Sequence, residues 1–302
     1  MKRKVKKHHV KTSFGSKVFD VANVLILLFA IAITLYPMLY TLFASFSDAR
    51  QLLVFDGLLT WPLKPYTLEG YRQTFLDPNI WNGFYNTIWY VLVGTAASVL
   101  LTIVASYIST NKHFVLRGFM MKMLLITMFF SGGMIPTYLV VSNLGLIDSR
   151  LAMILPGCIA TYNVIILRTF FQSIPASLEE SAMLDGANEV TIMFRIIIPL
   201  SMPAIAVITL YYSVSYWNSW YPALLYFRDR SLYPLQMFLR ERLITEEAIA
   251  ETGNSTMMAG EAYTRELVKY CTVIVTTVPI LAVYPFLQKY FVKGVMIGAI
   301  KG

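Results

Sequence analysis

The sequence predicts an all-α integral membrane protein: six transmembrane helices with a helix-loop-helix on the cytoplasmic side. Three observations carry this. Hydrophobic residues make up 57% of the 302-residue chain and charged residues only 14%, with a mean hydropathy of +0.59, whereas soluble domains carry about 25% charge. Six charge-free stretches of near-membrane length recur along the chain. Lys and Arg favour alternate connections between those stretches.

A helix needs about 20 mostly apolar residues to cross the hydrocarbon core. Spans are expected near 20–45, 86–109, 121–142, 150–169, 198–225 and 270–291. The fourth is the shortest and contains Pro156-Gly157, so a break is expected there. The opening MKRKVKKHHVK is a basic tail, residues 1–19. The apolar run behind it continues to Ala44, well past the 7–15 residues or so of a signal-peptide core, so it reads as an uncleaved first span.

With the N-terminus inside, the inner segments 1–19, 110–122, 168–196 and 289–302 hold 15 of the 25 Lys and Arg. This agrees with the positive-inside rule. The net charge of +8 is then a topology signal and a contact with anionic lipid rather than a nucleic-acid footprint. The expected division is a cytoplasmic tail 1–19, a six-span body 20–291 and a cytoplasmic tail 292–302. A cytoplasmic segment 175–199 and an external segment 228–268 interrupt the body, and Pro234 is expected to start a helix over 235–250.

The cytoplasmic segment is unlike a simple loop. Ser177 followed by Glu180 has the spacing of a capping box. Asp185-Gly186 breaks the first helix and Asn188 is placed to cap a second. Ala182, Leu184, Ala187 and Phe194 contribute apolar surface outside the bilayer, which usually marks an interface.

Glu180-Ser181-Ala182, three residues ending in Asp185, Gly186, nine residues from Ala187, then Ile196-Ile197-Ile198-Pro199 resembles the EAA motif of ABC-importer permeases. Ser181 stands for the first alanine of that pattern and Ile198 for its leucine. Thr67-Leu68-Glu69-Gly70-Tyr71, Asn86-Thr87 and the tail from Pro285 to Gly302 resemble the carbohydrate branch, in particular the maltose-transporter G-type subunit with its MetI-like fold. The Tyr-rich fifth span and the long loop after it resemble a subgroup handling complex oligosaccharides. The resemblance implies a pore-forming subunit in a bacterial cell (inner) membrane. It implies three partners: a second homologous permease, an ABC ATPase dimer and an extracellular solute-binding protein. Glu180, Ser181, Ala182, Leu184, Asp185, Gly186, Ala187, Phe194 and Pro199 would then form the coupling surface for the ATPase.

No GxxxxGK[ST] occurs, so no cofactor is expected on this chain; ATP and Mg²⁺ would be bound by the partner ATPase. No catalytic constellation and no metal-ligand spacing is present, and Cys158 and Cys271 read as buried apolar side chains. The span cores lack Asp, Glu, Lys and Arg, which disfavours the alternative of an ion-coupled secondary transporter. An ABC permease for a non-sugar solute is the other alternative. For the substrate path, Tyr216, Trp217, Asn218 and Tyr221 in the fifth span and Asn163 in the fourth combine aromatic faces with amides, which suit the C–H faces and hydroxyl edges of sugars. An aromatic belt is the competing reading for Trp220, Tyr221 and Tyr226.

Overall fold

Asp77 decides where the second span begins. Its carboxylate accepts from the Asn79 amide at 2.9 Å, and Pro78 at the first helical position has no amide to satisfy. The helix therefore starts at Pro78, eight residues before the apolar stretch suggests, and runs to Thr110. A π-turn at Tyr90–Gly94 interrupts it without a sharp bend.

The computed structural model describes residues 14–111, 114–252 and 265–282, and among these all regular structure is helical. Span one is Phe14–Ser45. Span two is Pro78–Thr110. Span three is Arg117–Phe129 with Met134–Asn143, bent by 120°. Span four is Leu151–Gly157 with Thr161–Gln172, bent by 53°. Span five is Glu189–Leu200 with Met202–Trp217, bent by 83°. Residues 265–282 form the described part of span six. Among the described residues two helices are long and apolar enough to cross a membrane, or up to five if each bent pair is one span. The described part of span six opens with Arg265, Glu266 and Lys269; its expected end at 291 lies outside the described residues, as do the tail 292–302, most of 1–19 and Gly253.

The break in span four falls where Pro156-Gly157 predicted it. The 120° turn in span three, at Ser131-Gly132-Gly133, was not expected: Gly133 adopts φ +89°, the left-handed region open to glycine. Span five was expected as one helix over 198–225. It instead bends at Ser201, resumes to Trp217, and continues as a separate turn at Tyr221–Tyr226. Pro199 and Pro203 flank the first bend, where each lacks an amide to continue the ladder.

Span two is the axis of the bundle, with spans four and five packed along it. Two apolar cores result. One joins Tyr90, Ala152–Ile154, Tyr212, Tyr216 and Tyr226; the other joins Ile103, Tyr107, Leu167, Phe171, Ile192 and Ile208. Span one stands apart. Among the described residues its apolar stretch is exposed and its C-terminal end packs, through Ala44 with Leu52 and Leu59. A shell of apolar side chains facing outward suits a hydrocarbon solvent.

Candidate functional site

Two places bring the sequence-predicted residues together, at opposite ends of the same three helices. The first is the helix pair that joins span four to span five, its second helix being the opening of the Glu189–Leu200 segment of span five. Its first helix is Ala176–Leu184 and starts at Pro175, whose carbonyl accepts from Leu178 at 3.1 Å. The Ser177/Glu180 capping box therefore does not form: Ser177 lies inside the first turn, and Pro175, with extended ψ of 126°, already stands at the cap. The end of this helix is a Schellman turn. Ala187 N–H donates to the Ala182 carbonyl at 2.9 Å and Gly186 N–H to Met183 at 3.0 Å. That pattern requires a left-handed residue, and Gly186 supplies φ +82°. Asn188 then caps the second helix through Thr191 N–H at 2.8 Å, as its position predicted.

The pair has two faces. Ile192, Met193 and Ile197 are buried against Ile103, Leu167 and Phe171, while Ala182 and Ala187 pack at their margin. Outward stand Leu184 (90% exposed), Val190 and Phe194, with Glu180, Ser181, Asp185, Gly186 and Pro199. Between the faces, Tyr107 of span two donates from its hydroxyl to Glu189 Oε2 at 2.6 Å. Neither member of that pair stands out in the sequence. Tyr107 is one tyrosine of 19, and its partner is 82 residues away.

The second place is a cavity of about 480 Å³ at the break in span four. Pro156, Gly157 and Ala160 form one side, with Tyr162 and Asn163 beside them. Tyr211, Tyr212, Ser215, Tyr216 and Ser219 of span five form the other, and no charged side chain is among the described lining residues. The helix break leaves the Ala160 amide without a helical partner, and Tyr212 Oη accepts it at 3.0 Å. The Tyr212 hydroxyl also meets Thr102 Oγ1 at 2.7 Å, and the Tyr216 hydroxyl meets Ser98 Oγ at 3.0 Å. Gly94 makes room for Tyr216: a Cβ there would stand 2.7 Å from the ring. Asn163 is 5% exposed and lines the cavity, and no hydrogen bond reaches its amide among the described residues. A buried amide without a protein partner is available to a ligand.

The five residues of the expected substrate path thus divide. Asn163 and Tyr216 stand on the cavity wall. Trp217 donates from Nε1 to the Thr276 carbonyl of span six at 3.3 Å, and the Asn218 amide donates to Val214 of its own helix at 3.0 Å. The Tyr221 hydroxyl contacts Met134 Sδ at 2.7 Å. One turn is about 3.6 residues, so neighbours of Tyr216 in sequence point away from its face. Of the belt candidates, Tyr226 is buried in the core and Trp220 carries the Arg240 guanidinium over its ring at 3.5 Å. Tyr162 also lines the cavity; its position beside Asn163 was the available signal.

Beyond the cavity, the segment after span five is tied back to span two. Asn86 donates to the Ser231 and Tyr233 carbonyls at 2.6 and 3.1 Å and accepts from Arg150 at 2.9 Å. Thr87 Oγ1 accepts from Leu235 N–H, which opens the helix Leu235–Thr252. Arg230 pairs with Glu241 at 2.5 Å, and Arg242 pairs with Asp77. Ser231, through its hydroxyl and its amide, holds the exposed Asp229 carboxyl below the usual range.

Residues 102–297 match the family described as binding-protein-dependent transport system inner membrane component. That match spans both the helix pair and the cavity. The chain belongs to this family. The permease is 40% identical to Protein LplC of Bacillus subtilis (98% of this chain, 99% of the relative). It is 39% identical to the polygalacturonan/rhamnogalacturonan transport system permease protein YtcP of the same organism (95% and 99%). Among solved structures it resembles a chain of a bacterial ABC transporter involved in the import of the acidic polysaccharide alginate. The TM-score is 0.83 and the identity 29%, over 93% of the permease and 99% of that chain. The apolar helices agree with a multi-pass membrane protein.

Proposed function

We propose that this permease is a pore-forming subunit of an ATP-driven importer of oligosaccharides, paired with a second permease. In this reading the helix pair 175–199 takes its thrust from a separate ATPase. The observation that carries it is the position of the EAA-like residues. They sit on a rigid, Schellman-closed helix pair that presents Leu184, Val190 and Phe194 to solvent while its other face is built into the core. Exposed apolar surface on a rigid support suits docking. ATP and Mg²⁺ belong to the partner, and an extracellular binding protein delivers the sugar. Both chain termini lie in the cytoplasm. The segment 228–268 then faces outward, the body spans 20–291, and 1–19 and 292–302 are cytoplasmic tails.

The uncharged, tyrosine-walled cavity supports a sugar as cargo. Aromatic rings cover C–H faces and hydroxyls and the Asn163 amide meet sugar hydroxyls. The names of the relatives, one a polygalacturonan/rhamnogalacturonan permease and one an alginate importer, point the same way. Purification of the tagged permease from its native cell, in mild detergent, tests the reading. A second permease and a nucleotide-binding protein are expected to co-purify. Transport by the isolated chain down an ion gradient would overturn it.

A further inference from the structure

We propose that Tyr107 is a positioning residue that carries displacement of the helix pair into span two, and through span two to the tyrosine wall of the cavity. This rests on the coupling reading above. Tyr107 is itself buried, and its hydroxyl donates to Glu189 Oε2 at 2.6 Å. Glu189 is the first residue of the second helix, immediately after the Asn188 cap, so it moves with the turn at Gly186. A hydrogen bond to a carboxylate is shorter and stronger than a neutral one. Here it joins the protruding pair to the helix on which the bundle is built.

From Tyr107, span two runs as uninterrupted α-helix back to Thr95. Along one face it holds Thr102 and Ser98, which bond the hydroxyls of Tyr212 and Tyr216 at 2.7 and 3.0 Å. At 1.5 Å per residue, Tyr107 and Ser98 are about 14 Å apart along the axis. A shift of Glu189 therefore moves the groups that hold both cavity tyrosines in place, without either site touching the other. Tyr212 also caps the broken span four at Ala160, so the same shift acts on both walls.

The test uses the assembled transporter with its ATPase. Cys158 and Cys271 are replaced by alanine, and Ser215→Cys on the cavity wall serves as reporter. The rate of maleimide labelling is compared without nucleotide and with ATP plus vanadate. The parent is expected to change its labelling rate with nucleotide. Tyr107→Phe is expected to reduce that change at least about fivefold, the scale of an ordinary coupling energy, and Glu189→Leu to do the same. Glu189→Gln retains an acceptor and is expected to keep most of it. A merely structural role would lower the yield of complex but leave the nucleotide-dependent ratio intact. If Tyr107→Phe keeps the ratio while Gly186→Val loses it, the proposal fails and the coupling reading stands. If the parent shows no nucleotide-dependent change, the coupling reading itself fails. Should Tyr107→Phe not assemble, Glu189→Leu reads the same bond from its other end, and an undiminished ratio there overturns the proposal.

Discussion

Gly186 and Asn163 show how single residues set the two ends of the permease. Among the described residues nothing lies within 4 Å of where a Gly186 Cβ would stand, so space does not select glycine; the φ of +82° does. A β-branched residue in that region is strained by about 1–3 kcal/mol. Gly186→Val is therefore expected to distort the Schellman turn and uncouple ATP hydrolysis from uptake, while the bundle, which does not depend on the turn, stays folded. The check is uptake and ATPase rate on one preparation of reconstituted complex; normal ATP-driven uptake would refute it. Asn163 is the opposite case. Its amide faces the cavity and makes no hydrogen bond among the described residues, so Asn163→Leu is expected to leave the melting temperature equal or higher and yet reduce uptake per assembled complex. A fall in both would make the amide a structural group.

At the scale of elements, span two organises its neighbours through close approaches and ties. The Gly94→Ala methyl would meet the Tyr216 ring at 2.7 Å with the aromatic side chain confined in the core. Overpacking of this kind costs about 1–3 kcal/mol, and displacement of Tyr216 is expected to reduce uptake along with stability; thermal melts and uptake on the same sample test both. The connection before span four carries a further tie. Asp148 adopts φ +57° and its Oδ1 accepts from the Arg228 and Asp229 amides at 2.6 and 3.0 Å. Asp148→Asn keeps an acceptor and tolerates the left-handed region, so it is expected to melt near the parent. Asp148→Ala removes the acceptor and the local tolerance together and is expected to lose about 2 kcal/mol. Equal melting of the two would remove the tie from the account.

For the whole molecule, the proposed orientation has a direct consequence. Phosphatase fusions, active only outside the cytoplasm, are expected to be active when joined after residue 240 and inactive when joined after residue 184. The reverse pattern would invert the topology and put the helix pair beyond reach of any cytoplasmic ATPase. Span one adds a second point at this scale. Among the described residues its most apolar stretch is not buried, and its C-terminal part is held by Tyr36, which accepts from the Leu59 amide at 3.1 Å, by Ser45 with Tyr71 at 2.7 Å and by the cluster around Ala44. Burial pushes the Tyr71 phenol up from its ordinary value, in keeping with that small sealed joint.

The fold class, the break at Pro156-Gly157, the turn at Gly186, the cap at Asn188 and the helix from Leu235 are local properties. Hydropathy, proline and glycine report them directly, and the sequence alone was enough. Starts and bends were less legible. Asp77 moves the start of span two through a cap, and Ser131-Gly132-Gly133 bends span three inside an apolar run that reads as continuous. The capping box at Ser177 failed because Pro175 already occupied the cap. Which face of span five meets the cavity could not be read from the aromatic cluster, since Tyr216 and Trp217 are neighbours in sequence but point in different directions. The pairing of Tyr107 with Glu189, and of Thr102 and Ser98 with the two tyrosines, depends on which helices lie side by side. Only the tertiary structure decides that, because helices far apart in sequence must pack before their polar groups can meet.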